Sequence, residues 1–519
     1  MAGLSTSSSG TAPPPGPGAA TSVPDDYVWL LVMSFMFGLA NAISHGRWQP
    51  VAFGLLVVAL GLLSWRFIAT PRTGAGDAST MRHSRVLAAV FAMLLSLPLT
   101  ALGDPKILAQ PVHSLAILRA TQVASVLLVA SYIPFMTGRR PEPPALRTAR
   151  FVGFAIVLIV AGVSVIHITP TPGIDVWTIQ MKGGEVLLDG KNPYVWASVP
   201  DTDPENDFTV PFVYPPMAVY VAALGVGLFG DVRYVLLGTM FVAGLAMRFL
   251  TRRAALRSGK SIPSLLEDAP ALLFWQTPLL LMVVELSWLD PLQVMLISAG
   301  VAAFVADRKT FAAVLFGVAV SSKQSMFWLF PLVGVVLRFD LKRWVVLSVA
   351  ALVPLLPFIV WDFRALKHAN FDFMSGLPPR RDALCFTNAV WKMSGAAFPA
   401  ASAFLLSACI VGVACLRALP AGVRARFGFL AGFAPVASRP ALDFTQALVL
   451  TYFVFFFFNK WAFANYYFLL TGLAALGGGA ALHRSLEGAG VLGGATDPRS
   501  RTVPDPGAAR EAELSSSRA

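Results

Sequence analysis

Apolar residues run along this chain in long stretches separated by short polar ones. A helix that crosses the hydrocarbon core of a bilayer needs about 20 mostly apolar residues. Residues 27–44, 50–66, 86–103, 114–136 and 150–168 approach or meet that length. Further candidates follow at 234–250, 268–286, 291–306, 344–361, 396–416, 441–458 and 462–482. Residues 310–337 must go out and back in two short arms, with Ser321-Ser322-Lys323-Gln324 as the tip. The run 217–229 has only the length of an interfacial or re-entrant helix, so 213–230 reads as a helix lying on the membrane surface. The pattern predicts an all-α polytopic membrane protein of about 14 transmembrane helices, with about 11 as the lower bound. It also predicts a structured extracytoplasmic loop bearing juxtamembrane helices.

Charge orients these segments. Short Arg-rich loops stay on the cytoplasmic side. Arg66, Arg72, Arg82 and Arg85 follow the second segment, and Arg139, Arg140, Arg147 and Arg150 follow the fourth. Arg248, Arg252, Arg253, Arg257 and Lys260 close the sixth. The fifth segment therefore exits outward, loop 169–212 is extracytoplasmic, and both termini are cytoplasmic. That loop is acidic, with Asp175, Glu185, Asp189, Asp201, Asp203, Glu205 and Asp207 against Lys182 and Lys191. Composition agrees: 56% of the 519 residues are hydrophobic and 13% charged, where a soluble domain carries about 25% charge. The net charge of +12 lies mostly in arginines of short loops, so orientation explains it and no nucleic-acid partner is expected. Cys385, Cys409, Cys415 and six scattered histidines give neither a disulfide framework nor ligand spacing.

Two outer loops carry the candidate chemistry. The first opens with Gly173-Ile174-Asp175-Val176-Trp177, just beyond the fifth span. Asp is a favoured helix N-cap, so Asp175 reads as a cap, as a catalytic carboxylate, or as both. The loop continues through Gly190-Lys191-Asn192-Pro193-Tyr194 to Phe212-Val213-Tyr214-Pro215-Pro216. Pro193, Pro215 and Pro216 fix φ and stop helix continuation, which is a structural role. The second loop, 362–395, holds Arg364, Lys367, Arg380, Arg381 and Lys392, against the usual inside bias. It reads either as a solvated loop or as a patch for an anionic group. Lys323 and Lys460 fall on the same face. Lys323 lies between two arms too short for comfortable spans, and a charge at that depth needs an anionic partner.

These elements, in this order, resemble the polyprenol-phosphate-mannose-dependent mannosyltransferases, glycosyltransferase family 87 of the GT-C class, over residues 150–483. The matching pieces are Asp175 early in the first large outer loop, the Gly-x-Asn-Pro-Tyr turn, and Tyr214-Pro215-Pro216 opening an apolar run. Lys323-Gln324, Asn459-Lys460 and Asn465-Tyr466-Tyr467 match more softly. One departure is that four spans precede the one leading to Asp175, which in the family lies near the N-terminus.

The resemblance implies a GT-C-like module at 150–483 after a four-span extension at 25–149, between disordered tails at 1–24 and 484–519. It implies transfer of a hexose, mannose by the family's donor, from a polyprenyl phosphate to a lipid-linked or cell-envelope glycan on the outer face of the plasma membrane. Asp175 would be the general base of an inverting reaction. Lys323, Lys460, Arg380 and Arg381 would hold the donor phosphate. Trp177, Asn192, Tyr194, Tyr214 and Gln324 would contact substrate. No cofactor or metal is implied. The partners are the donor, the acceptor and the bilayer. The alternative is a transporter or flippase of lipid-linked sugars, which would have shorter outer loops and more charge buried mid-span.

Overall fold

Proline opens many of the helices of this chain, where its fixed φ and missing N–H cost nothing. The computed structural model describes residues 23–69, 80–81, 83–101, 115–136, 142–200, 209–258, 262–396, 398–399, 401–420, 423 and 440–494. The helices are α1 (Asp25–Ser44), α2 (Pro50–Ala69), α3 (His83–Ala101), α4 (Leu115–Ala130), the turn α5 (Ile133–Met136) and α6 (Pro144–Ile168). Then come α7 (Asp175–Leu188), the turn α8 (Pro193–Trp196), α9 (Pro216–Phe229), α10 (Val232–Ser258), α11 (Ser264–Trp275) and α12 (Leu280–Glu285). They are followed by α13 (Asp290–Val305), α14 (Lys309–Val320), the turn α15 (Leu329–Pro331), α16 (Leu341–Leu352), α17 (Leu356–Lys367) and the turn α18 (Phe373–Gly376). The last are α19 (Phe386–Ser394), α20 (Ala401–Ala418), α21 (Pro440–Phe457) and α22 (Ala464–Gly494). Two short antiparallel ribbons complete the described fold, β1 (Val23–Pro24) with β2 (Thr80–Met81) and β3 (Ser198–Pro200) with β4 (Thr209–Pro211).

Among the described residues, seven helices are long and apolar enough to cross a membrane: 25–44, 50–68, 115–136, 144–168, 232–258, 401–418 and 440–457. A pair bent by 56°, 341–352 with 356–376, makes eight if it is one span. The chain is thus an all-α protein of the membrane-spanning kind. Other apolar stretches of the sequence are shorter or broken. The stretch 268–286 is interrupted at Gln276–Leu279, between α11 and α12. Residues 310–337 form α14, a 3-10 turn at Gln324–Trp328, α15, and a π turn at Leu332–Val336. α11 and most of α13 are buried, the setting in which interrupted helices are tolerated at membrane depth.

The first helix is not an appendage. α1 lies along α22, where Gly477 and Gly478 leave room: a Cβ at Gly478 would stand 2.7 Å from Leu31, and one at Gly477 3.2 Å from Leu30. Small residues let helices approach closely when water supplies no drive between them. Ser34 Oγ donates to the Thr471 carbonyl at 2.9 Å, and Asn41 Nδ2 to the Ala464 carbonyl at 2.8 Å. One continuous apolar core runs from Val23 to Leu486, with no break in packing at 149–150. α22 itself continues to Gly494, beyond the expected start of the C-terminal tail at 484. No proline interrupts it there, and a helix glycine costs only about 1 kcal/mol. Arg72, Arg82, Arg139, Arg140, Lys260 and the acidic residues Asp201, Asp203, Glu205 and Asp207 lie outside the described residues.

α6 spans the distance between two polar ends. Near its start, Arg150 Nη1 lies 2.8 Å from Glu142 Oε1, and its guanidinium stacks 3.9 Å from the Tyr132 ring centroid. Tyr132 donates to Asp268 Oδ2 at 2.8 Å, and Arg248 pairs with Asp268 Oδ1 at 2.8 Å. Beyond its last turn, Thr169 accepts from Arg233 Nη1 through its carbonyl at 2.7 Å. Arg150 and Thr169 are separated by roughly 28 Å at 1.5 Å per helical residue. The first is the arginine end of the bundle; the second is the site end.

Candidate active site

The chain turns at the site end because Thr169-Pro170-Thr171-Pro172-Gly173 cannot extend α6. Two prolines deny it donors, and Gly173 adopts φ +65°, open to glycine without strain. Asp175 then begins α7, partly exposed. Its Oδ1 accepts the Val176 N–H at 2.8 Å, and the positive end of the helix dipole favours its carboxylate. The wholly buried Arg233 fixes the loop. It donates to Thr169 and Pro170 carbonyls at 2.7 and 3.4 Å and pairs with Asp231 at 2.6 Å. Trp177 Nε1 joins this clamp through Asp231 Oδ1 at 3.4 Å, and its ring lies 5.5 Å from the Arg233 guanidinium. Trp177 therefore braces the loop through that contact.

α7 presses onto α9 through Gly183 and Gly184. A Cβ at Gly183 would collide with the Phe212 ring ahead of α9, and one at Gly184 would stand 2.8 Å from the Ala222 carbonyl within it. After α7, Gly190 takes φ +71°, and Asn192 caps the next turn by accepting the Tyr194 N–H at 3.0 Å. Tyr194 is buried edge-on against Phe212 and Phe358. Its hydroxyl donates to the Tyr214 carbonyl at 2.8 Å. The Gly-x-Asn-Pro-Tyr turn thus works as a fastener for the Tyr-Pro-Pro segment. Asn192 and Tyr194, expected to contact substrate, both stand in this turn, one through its cap and the other through its bond to Tyr214.

The structure brings further polar groups to the same place. Asp290, the fully buried first residue of α13, pairs with Lys323 Nζ at 2.8 Å through Oδ1. Its Oδ2 accepts from Asn465 Nδ2 at 2.9 Å. The Lys323 ammonium also sits 4.6 Å from the Tyr466 ring centroid. Lys323, expected to need an anionic partner at that depth, has one in this carboxylate. Tyr214 lies within the field of both acids. Its phenol is pushed well above the usual range, first by burial and then by the charges of Asp175 and Asp290, with Tyr466 also contributing.

Gln324 donates to the Val213 carbonyl and, at 3.2 Å, to Asn370 Oδ1. Met217 N–H reaches the Ser321 carbonyl at 3.2 Å. Gln180 Nε2 ties α7 to the joint before α13 by donating to the Ser287 carbonyl at 2.7 Å. Ser287 itself takes a left-handed φ of +56°. Heads of α7, α9, α13 and α22, together with the tip after α14, are therefore mutually fixed. Ile174 and Trp288 pack on Leu279, Met282, Leu286 and Ala464 as the apolar floor.

The remaining expected phosphate ligands lie beside this cluster and are engaged elsewhere. Lys460 Nζ donates to the carbonyls of Met374, Ser375 and Leu377 at 3.1, 3.1 and 2.6 Å, and burial lowers its pKa. Arg380 pairs with Asp382 at 3.1 Å. The exposed Arg381 stacks 4.5 Å from the Trp391 ring centroid. These three make contacts within 374–391, and Lys323 pairs with Asp290. Asp290 and Asn465 carry more of the site than the sequence suggested. The available signal was an Asp-Pro helix start inside an otherwise apolar stretch. Comparison of the chain with protein-family models, curated proteins and solved structures gives no match.

Proposed function

We propose that the site end transfers a hexose, mannose by the resemblance, from a polyprenyl phosphate to the hydroxyl of a lipid-linked or envelope glycan. The observation that carries this reading is the meeting of a partly exposed carboxylate, Asp175, with the Asp290–Lys323 ion pair around Tyr214. The acceptor hydroxyl gives its proton to Asp175 as its oxygen bonds to the anomeric carbon. The bond from that carbon to the phosphate oxygen breaks on the opposite face, with inversion. The polyprenyl phosphate leaves with the electron pair. Lys323 lies on the side where negative charge grows, the kind of fixed cation that stabilises such a transition state. Asp290 and Asn465 hold it there. Tyr214 and Gln324 line the approach.

The same reading takes the site end as extracytoplasmic, in the plasma membrane. Loops after α2, α4 and α10 are rich in arginine, and short basic loops stay inside. The reading keeps about fourteen crossings with both termini cytoplasmic, of which seven or eight are helices long and apolar enough to cross among the described residues.

The test is to supply the purified wild-type protein with polyprenyl-phosphate mannose and an envelope glycolipid extract, and to follow both products. Release of polyprenyl phosphate with stoichiometric gain of a hexose on the acceptor is expected. Movement of intact donor across vesicles without its consumption would replace this reading by that of a flippase.

A further inference from the structure

A pocket with polar and apolar walls lies between α4, α6 and the break separating α11 from α12. Its walls include Gln122 and Ser125 of α4, Phe154 and Leu158 of α6, and Gln276 and Thr277 of the break. The cavity measures about 70 Å³. Leu158 is about 12 Å along α6 from Arg150 and about 16 Å from Thr169 at 1.5 Å per residue, so the pocket sits midway between the two polar ends. α4 and α6 belong to helices long and apolar enough to span a membrane, which puts the pocket at hydrocarbon depth.

Polar side chains at that depth are expensive unless something bonds them. Gln122, Ser125 and Thr277 are buried. The amide nitrogen and the amide oxygen of Gln276 are both buried and find no partner among the described residues. Gln276 stands where helical bonding stops, between Trp275 and Leu280. The neighbouring Trp275 is satisfied, donating through Nε1 to the Met240 carbonyl at 2.9 Å. The lining carries donors and acceptors and no charged group, and a charged ligand at this depth would be costly.

We propose that this pocket binds an uncharged membrane molecule bearing a hydroxyl on an apolar body, with Gln276 as its hydrogen-bonding anchor after a change of rotamer. A hydroxyl both donates and accepts, which matches an amide with both functions vacant. Phe154 and Leu158 face the apolar part. A long-chain isoprenoid alcohol and a diacylglycerol share this chemistry. The site is independent of sugar transfer at the other location, and its ligand need not be a substrate.

The experiment uses the full chain in phosphatidylcholine nanodiscs with two photoreactive probes, a diacylglycerol and a long-chain isoprenoid alcohol. Each is paired with its own acetylated form, which can accept but not donate. Crosslinks are mapped by peptide mass. Labelling of 115–130 and 144–168 at least several-fold stronger with a free hydroxyl than with its acetate is expected, and whichever probe gives it identifies the source. Gln276→Leu should abolish the difference. Ser125→Leu, which fills the cavity from the opposite wall, should do the same and guards against misfolding of the first variant. Equal labelling by free and acetylated probes in the wild type, or a difference that survives both substitutions, would overturn the proposal and leave a water-filled pocket.

Discussion

The two polar ends of the bundle hold similar residues and use them differently. At the arginine end, Arg147, Arg150 and Arg248 face Glu142, Glu267 and Asp268 at 2.8 to 4.0 Å. These six residues carry three charges of each sign, and aromatic rings cover the Arg150 and Arg248 guanidinium groups. At the site end, Asp175 and Asp290 lie around Tyr214 with Lys323 as the adjacent cation. One of those acids is buried and paired. The other stands partly open at a helix head. A closed, balanced network joins helices. An acid-rich cluster with an accessible carboxylate is suited to accept a proton from a ligand. Number of charges does not separate the two ends; access does.

If the arginine end is a joint, breaking it should cost stability and spare chemistry. Arg248→Ala leaves Asp268, whose side chain is 1% exposed, without its closest cation. Removing one member of a buried pair costs about 3–5 kcal/mol. The thermal midpoint of the detergent-solubilised protein should fall sharply, while molecules that remain folded keep their sugar-transfer rate. A variant with an unchanged midpoint would show that the contrast between the ends is misdrawn.

Lys323→Ala tests the other side. A lost charge-assisted bond is worth about 1.5–3 kcal/mol, roughly 10- to 150-fold, and the loss should fall on KM for the donor more than on KM for the acceptor. Asp290→Asn should shift donor KM in the same direction by less, since the lysine remains but is less firmly held. Unchanged donor KM in both would make the Asp290–Lys323 pair a second structural joint.

The smallest effect sharpens the comparison within the site end. Tyr194→Phe removes the bond to the Tyr214 carbonyl. A net hydrogen bond contributes about 0.5–1.5 kcal/mol. A modest drop in midpoint with a few-fold loss of turnover is expected, because the Tyr-Pro-Pro segment is only loosened. A loss as large as that of Lys323→Ala would make Tyr194 more than a fastener.

Much of the fold was legible in the chain. Long apolar runs announce spanning helices because hydrocarbon admits little else, and the reading of 213–230 as a short helix matches α9 within a few residues. Helix interruptions were harder. Nothing in Leu273-Phe274-Trp275-Gln276-Thr277-Pro278 fixes where α11 stops except Pro278, and the cost of the break is met by surrounding protein that a linear pattern does not show. The place of α1 beside α22 depends on Gly477 and Gly478 meeting Leu30 and Leu31, residues more than four hundred positions apart in the chain.

The site was partly legible. Asp175 at the head of its helix, the proline-set turns and the tip at Lys323 lie where the sequence suggested. What the sequence withheld was pairing. Lys323 reads as stranded until Asp290 comes to 2.8 Å, and nothing in the sequence places the Lys460 ammonium against the carbonyls of Met374, Ser375 and Leu377.

The central claim is that Asp175 takes the acceptor's proton. Asp175→Asn keeps the size of the side chain and an oxygen to accept the Val176 N–H, and removes its basicity. Purified wild type and variant, matched for thermal midpoint, are assayed with polyprenyl-phosphate mannose and acceptor. General-base catalysis is worth about 10²–10⁴-fold, so the variant should fall at least about 100-fold in kcat with donor KM little changed. A variant that retains more than about a tenth of the wild-type kcat would contradict the account.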